Sequence, residues 1–353
     1  MKILFVYLFC TRGGVETAIK NRLQCISKYE NQIDLLFFND FGGKSIYDDT
    51  DLNIIIQNDM VQIGSMIKEK AYDFIISIDT FEILTVLKKM HYKGKIGLEV
   101  HTTYSDSLMY LKNINRNEIT YISVPSNYQK GLVTNYIKED IPIHIIPNSL
   151  DNNDFHPVNL EKKSERPILL WIGRLDTHKN WKSFLEIAHE IKKSSHNSFD
   201  FFVVGGLKSE ESEIRKFNKM IFELELHDVL RWIPFCEYKK MANVYNYVAQ
   251  SGGAYLITSA NESFGMTAIE AMACNCPVIV NNVGALGEIV NDKTGLVINI
   301  NQGSKEIAQI ILKYLRNSYC KKINTNNALE YINSNFTNLI VGNKFMDILR
   351  KYN

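Results

Sequence analysis

The strongest constraint on this chain is a rhythm of short, continuous apolar runs. KILFVYLF (2–9), QIDLLFFN (32–39), DFIISID (73–79), KIGLEVH (95–101), YISVPS (121–126) and IHIIPN (143–148) recur with helical stretches between them. Runs that are apolar throughout, rather than alternating, are what parallel strands covered on both faces require. VETAIKNRLQCISKY (15–29) carries the helical spacing expected of such a cover. The first half therefore reads as a doubly wound α/β domain.

The rhythm breaks over 146–167, IPNSLDNNDFHPVNLEKKSERP, a polar stretch with Pro147, Pro157 and Pro167 that reads as an interdomain linker. It then starts again with PILLWIG, FDFFVVG, VLRWIPF, AYLITS and PVIVNN, so a second parallel sheet is expected. Residues from about 304 onward hold no convincing strand and read as helices. A chain of 353 residues suits two domains, here expected over 1–156 and 157–335. Two such domains facing each other place the C-terminal ends of both sheets on one central cleft, where ligands of doubly wound sheets bind. No GxGxxG follows an expected strand, which removes the main support for a nicotinamide dehydrogenase.

Composition narrows the partners. Forty basic against thirty-nine acidic side chains leave a net charge of +1, so no global field favours nucleic acid. The six cysteines form neither a CxxC pair nor a zinc-spaced cluster and read as small apolar residues of a reducing compartment. MKILFVYLFC runs into TRGGVE without a small-residue cleavage site, so a buried first strand is the better reading than a signal peptide. No apolar run approaches the roughly 18 residues that span a bilayer. The expected location is the cytoplasm.

The residues that can carry chemistry lie in loops at expected strand ends. SANESFGMTAIEAMACNCPVIVNN (259–282) reads as loop, helix, turn and strand, with the helix starting near Gly265. The amides of Phe264, Gly265, Met266 and Thr267 then point out of a helix N-terminus, where unpaired donors and partial positive charge suit phosphate. Glu270 on the helix can accept from both hydroxyls of a ribose, while Glu262 in the loop can hold a sugar beyond the phosphates. The plainer reading makes Glu262 a helix-end charge and Glu270 a surface residue. WIGRLDTHKNW (171–181) supplies Arg174 and Lys179 past a strand end, a pair suited to a diphosphate leaving group or else ordinary surface charge. EVHTTYSD (99–106) puts His101 at another strand end, either to position a substrate hydroxyl or as a structural histidine. FCTRGGVET (9–17) sets Gly13 and Gly14 between the first strand and its helix, as a backbone that a ligand approaches or as a tight turn.

Taken in order, GGVE, His101, PSNYQKGL, IPNSLDNNDFHP, WIGRLDTHKNW and ESFGMTAIE resemble the retaining, nucleotide-sugar-dependent glycosyltransferases of the large bacterial family four, the glycosyl transferases group 1. The resemblance covers nearly the whole chain and implies the two-domain GT-B fold. It implies that Glu262 contacts the donor sugar, Glu270 the ribose, Arg174 and Lys179 the diphosphate, and His101 the transferred sugar. Gly205 and Phe235 fall where the nucleobase is usually met. A final helix over about 336–353 is expected to pack back on the first domain, as is common in the family. The sequence departs from the family's glycines at Ser149, Asn180, Asn275 and Pro234, the last leaving the nucleobase open. Asparagine at 275 tolerates the left-handed conformation expected there.

The implied reaction moves a hexosyl unit from a nucleoside diphosphate sugar, UDP-sugar favoured, to an acceptor hydroxyl with retention. The expected setting is bacterial cell-envelope or surface glycan assembly. No cofactor or metal is expected, because cations already occupy the phosphate site. DDTD (48–51), an acid-x-acid pattern used by metal-dependent transferases of another fold, reads here as a solvated loop. The acceptor is open between glycan, lipid-linked intermediate and protein. LKKMHYKGK (87–95) is a basic stretch for anionic lipid at the inner membrane face or a solvated helix end. The rival readings are a nucleotide-sugar 2-epimerase, a phosphorylase, and a catalytically silent partner that binds glycan or supports a sister transferase.

Overall fold

The apolar runs pair in parallel, forming two sheets. The computed structural model describes residues 1–11, 13–27, 31–162, 164–196 and 198–353. The first sheet holds β1 (Lys2–Cys10), β2 (Gln32–Asp40), β3 (Asn53–Ile56), β4 (Phe74–Ile78), β5 (Lys95–Glu99), β6 (Tyr121–Val124) and β7 (Ile143–Ile145), in the order β3-β2-β1-β4-β5-β6-β7. The second holds β8 (Ile168–Ile172), β9 (Asp200–Val204), β10 (Leu230–Ile233), β11 (Ala254–Ile257), β12 (Val278–Asn281) and β13 (Leu296–Ile298), in the order β10-β9-β8-β11-β12-β13. In each sheet the winding reverses beside the first strand, between β1 and β4 and between β8 and β11. Loops leaving the carboxyl ends of those strands splay apart and open a crevice.

Strand alternation sends neighbouring residues to opposite faces of the first sheet. Leu4, Val6, Ile75 and Leu98 pack with Ile63, Ile67 and Ile83 on one face. Ile3, Phe5, Phe74 and Ile76 pack with Ile19 and Leu23 of the helix Gly14–Ile26 on the other. The closing helix Asn338–Tyr352 joins this second face through Val341, Phe345 and Leu349. Each such fully buried apolar side chain is worth about 1.5–3 kcal/mol relative to exposure. Residues 28 and 29 of the helix expected over 15–29 lie outside the described residues.

The chain divides into two compact units, residues 1–150 with 336–353, and residues 151–335. Leu150 and Phe336 meet where the chain re-enters the first unit, Leu150 N donating to Phe336 O at 2.8 Å. The boundary falls after residue 150 rather than after 156, and 151–160 is not a free linker. Phe155 is buried against Tyr238 and Tyr245, Asn246 Oδ1 accepts from Val158 N at 2.8 Å, and Gln250 Oε1 accepts from Leu160 N at 3.1 Å. These anchors hold the stretch on the second unit, whose core is built from Trp171, Trp181, Phe184, Phe201 and Phe217. The edge strands β3 and β13 were not among the expected strands.

Candidate active site

The crevice of the second sheet collects the charged residues of the two richest motifs. The loop after β8 is organised by Asp176. One of its carboxylate oxygens accepts from Lys179 N at 2.8 Å, and the other lies 3.0 Å from Arg174 Nε. Arg174 keeps 64% of its side chain exposed, so its guanidinium has donors to spare for a ligand. Asn180 ends the loop in the left-handed conformation, φ 52°, which asparagine adopts more readily than most residues.

Lys179 reaches from this loop to the one after β11. Its Nζ lies 2.6 Å from Glu262 Oε1, which also accepts from Ser259 Oγ at 2.8 Å. The two loops are further joined by Ala260 N donating to His178 O at 2.8 Å and by Thr258 Oγ1 donating to Asn180 O at 2.9 Å. Arg174 and Lys179, read as a pair in the sequence, and Glu262, read from another motif, thus belong to one tied pair of loops. Lys179 and Glu262 neutralise each other.

The helix Met266–Ala273 starts where the sequence expected it. Gly265 stands at its N-cap with φ 105°, a conformation that favours glycine, and a Cβ there would press on Leu286 Cδ2 at 2.8 Å. Glycine offers no side-chain cap, which leaves first-turn amides for water or an anion. Phe264 is buried; Met266 and Thr267 are half-buried, and Thr267 Oγ1 accepts from Tyr255 Oη at 2.9 Å. Asn275, after the helix, adopts φ 56°, the left-handed turn anticipated for it.

Glu270 overturns the plainer reading of a surface residue, for it is only 6% exposed. Its Oε2 accepts from Tyr245 Oη at 2.9 Å. Burial pushes the Glu270 carboxyl up to about 8, against the opposing pull of the Tyr245 hydrogen bond. Burial, with Glu270 beside it, likewise drives the Tyr245 phenol well above its ordinary value.

Gly205, after β9, takes φ 107°, and a Cβ would lie 2.4 Å from Gly173 O, so it is a close-approach glycine. Its carbonyl accepts from Trp232 Nε1 at 2.9 Å. Phe235, in the loop after β10, is 49% exposed.

The remaining expected residues, Gly13, Gly14 and His101, belong to the first unit. Gly13 N-caps the helix Gly14–Ile26, but the turn already holds an acid. Glu16 Oε1 accepts from Thr11 N at 2.7 Å and from the Thr11 hydroxyl, and a Cβ on Gly13 would lie 2.7 Å from Glu16 Oε2. A phosphate arriving there would compete with this carboxyl. Of the two glycines, Gly13 gives the steric room that Glu16 needs.

His101 follows β5 and is 5% exposed. Its Nε2 lies 2.7 Å from Glu99 Oε1, and Arg22 Nη2 lies 2.7 Å from Glu99 Oε2. Burial works to raise the Glu99 carboxyl, but Arg22 and His101 outweigh it and hold it down at about 2. The backbone N–H of His101 donates to Asp79 Oδ1 at 3.0 Å. His101 Nδ1 is buried without a hydrogen-bond partner among the described residues. A buried polar atom left so costs about 1–3 kcal/mol unless a ligand or water meets it.

The sequence reading missed Asp176, Ser259, Tyr245, Glu99 and Arg22. Asp176, three residues before the Lys179 amide it caps, carried a local signal of the Asx kind. The others did not. Among the described residues no group of three or more His, Cys, Asp or Glu is placed to hold a metal ion. DDTD lies in an exposed turn where Asp49 pairs with Lys20 at 2.6 Å. No described helix is long and apolar enough to cross a membrane.

With this geometry in view, comparison with known proteins is decisive on family. The sequence pattern of the glycosyl transferases group 1 matches residues 152–333, more than half of the chain's 353 residues. The chain belongs to the glycosyl transferases group 1 family. The match spans the crevice of the second unit and every charged residue described in it. Among curated relatives, the "Probable sucrose-phosphate synthase" of Thermosipho melanesiensis is 30% identical over 169 residues, 47% of this chain and 38% of that protein. The sucrose synthase of Nitrosomonas europaea is 27% identical over 201 residues, 53% of this chain and 25% of that protein. The chain thus spans less than two fifths of the length of either.

Solved structures align over the whole length. Anabaena HepE, solved with UDP and glucose, has a TM-score of 0.84 at 17% identity, covering 99% of both chains. The sucrose-phosphate synthase of Thermosynechococcus elongatus has a TM-score of 0.82 at 18% identity, covering 99% of this chain and 98% of that one. At such identities the likeness speaks for the fold alone: GT-B, with two Rossmann-like domains.

Proposed function

We propose that this chain is a retaining glycosyltransferase that moves a hexosyl unit from a nucleoside diphosphate sugar to an acceptor hydroxyl. The observation that carries the reading is the Lys179–Glu262 pair, 2.6 Å apart, set beside the uncapped helix Met266–Ala273 that also bears Glu270. The arrangement supplies in series a sugar-binding acid, a cation, free backbone amides and a buried carboxyl for a diol. That series matches a nucleotide sugar from its hexose to its ribose. Related structures solved with UDP, glucose or UDP-glucose favour uridine as the nucleoside.

In the proposed reaction the bond between the anomeric carbon and the β-phosphate oxygen breaks while the acceptor oxygen bonds from the same face. The acceptor proton passes to a phosphate oxygen, and the nucleoside diphosphate leaves. Arg174, Lys179 and the helix amides stabilise the charge that grows on the leaving group, where preorganised donors act most strongly. Glu262, released from Lys179 as the phosphate takes the cation, orients the hexose. His101 offers its imidazole to a substrate hydroxyl. The protein contributes positioning and charge rather than a dedicated base or a metal.

The reading places the enzyme in the cytoplasm, building a bacterial surface or envelope glycan, with the acceptor a glycan, a lipid-linked intermediate or a protein. The basic stretch 87–95 supports contact with the inner membrane face, although Lys88 is paired with Glu118 at 2.7 Å. The test is product analysis with radiolabelled UDP-hexoses, with and without a mixture of envelope acceptors, followed by assignment of the anomeric configuration. An α-linked product from an α-linked donor is expected. A C2-epimerised sugar nucleotide, an inverted product, or a complete lack of turnover by folded protein would overturn the reading.

A further inference from the structure

The polar cluster behind His101 is built more deliberately than a strand-end histidine requires. Its parts come from three elements of the first unit. Glu99 ends β5, Arg22 comes from the helix Gly14–Ile26, and Phe345 of the closing helix lies under the Arg22 guanidinium, 4.6 Å from ring centroid to Cζ. Arg22 does not lose its proton in proteins, so the carboxylate it faces is kept ionised and can only accept. One Glu99 oxygen is taken by Arg22 Nη2 and the other faces His101 Nε2, each at 2.7 Å.

A carboxylate that only accepts decides which ring nitrogen carries hydrogen. Nε2 must be the donor, so in the neutral ring the lone pair sits on Nδ1. That is the atom left buried and without a partner among the described residues. Asp79, just after β4, holds the main chain of this turn by accepting from the backbone N–H of His101 at 3.0 Å. Asp79 itself sits at φ 44°, in the left-handed region that aspartate adopts more readily than most residues.

We infer that Glu99 is a positioning residue: held by Arg22, it fixes His101 as the Nε2–H tautomer, so that Nδ1 accepts a hydrogen bond from a hydroxyl of the substrate. The ligand chemistry this selects is a neutral hydroxyl donor, as on a sugar, and not a phosphate oxygen. Identifying that hydroxyl as part of a transferred hexose or its acceptor rests on the glycosyltransferase reading; the tautomer does not.

The experiment is nitrogen NMR of ¹⁵N-histidine-labelled protein, with His101 assigned by the signal lost in His101→Gln. At a pH where the ring is neutral, His101 is expected to show a protonated Nε2 and an unprotonated Nδ1. Glu99→Gln, whose amide can donate or accept, is expected to mix or reverse the two forms. Turnover should then fall by about tenfold or more, as when a histidine's orienting acid is amidated, with the donor KM within about twofold. A wild-type ring protonated on Nδ1 would overturn the inference, as would Glu99→Gln with unchanged tautomer and full turnover. If Glu99→Gln fails to fold, the wild-type spectrum decides. If no donor is turned over, the spectrum still decides the tautomer, and the failure lies with the proposed reaction.

Discussion

Lys179 Nζ and Glu262 Oε1 stand 2.6 Å apart, tying the loop after β8 to the loop after β11. Both side chains are largely shielded, so removing either partner leaves a charge with little solvent to compensate it. Lys179→Met and Glu262→Gln are each expected to lower kcat by about a hundredfold to a thousandfold, with far-ultraviolet circular dichroism unchanged. The double variant should lose much less than the product of the two losses, because a single linkage is broken in both. Steady-state kinetics on the three variants checks this. Fully multiplicative losses would show that the two residues act apart.

The proposed ribose contact of the buried Glu270 carboxyl predicts nucleotide binding that depends on pH. Burial raises it from 4.5 to about 8. Because the folded value is raised, the stability this group contributes is fully present below about pH 4.5 and is lost as pH climbs towards 8. Ligand affinity should run the other way. Ribose hydroxyls donate to a carboxylate, so the ionised form binds and the proton must leave. Affinity for UDP is expected to rise by up to about tenfold per pH unit towards pH 8 and then level. Glu270→Gln, titrated alongside, shares the nucleotide's own phosphate ionisation but lacks this step. An affinity ratio between the two proteins that is flat with pH would contradict the assignment.

Gly265 joins backbone conformation to ligand approach. With φ 105° and a would-be Cβ 2.8 Å from Leu286 Cδ2, Gly265→Ala should cost about 1–3 kcal/mol of stability by urea unfolding. UDP affinity should fall with it, because the helix amides shift. Unaltered stability would mean that the loop re-forms without its left-handed residue.

A test of the closing helix lies at Gly342, far along the chain from these loops. A Cβ there would lie 2.6 Å from Cys25 Sγ and 2.9 Å from Cys25 Cβ. Gly342→Val is therefore expected to lose about 1–3 kcal/mol by overpacking. Pairing Gly342→Ala with Cys25→Gly should recover most of what Gly342→Ala loses. No recovery would place the clash elsewhere.

How much of this was legible in the sequence follows from how local each signal is. Strands β1, β2, β4, β8 and β11 announced themselves because parallel strands buried on both faces are apolar throughout. β3 (NIII) and β13 (LVI) did not, being short edge strands with polar neighbours and partly exposed side chains. Prolines at 147, 157 and 167 suggested a free connector, whereas Val158 and Leu160 are anchored by Asn246 and Gln250, and Phe155 by Tyr238 and Tyr245, all far along the chain. The acids of ESFGMTAIE were visible from their spacing about a helix start. That Glu270 is buried against Tyr245 was not, since the two are 25 residues apart on different elements. The Arg22–Glu99 pair spans 77 residues and has no local signature at all.

Calorimetric titration with UDP, GDP and ADP in the presence of chelator, repeated with Glu270→Ala, reads the proposed nucleotide site itself. Binding without metal is expected, with UDP preferred and an affinity at least about tenfold weaker in the variant, the loss of a charge-assisted hydrogen bond. No binding of any nucleotide by folded protein, or equal affinity in the variant, would contradict it.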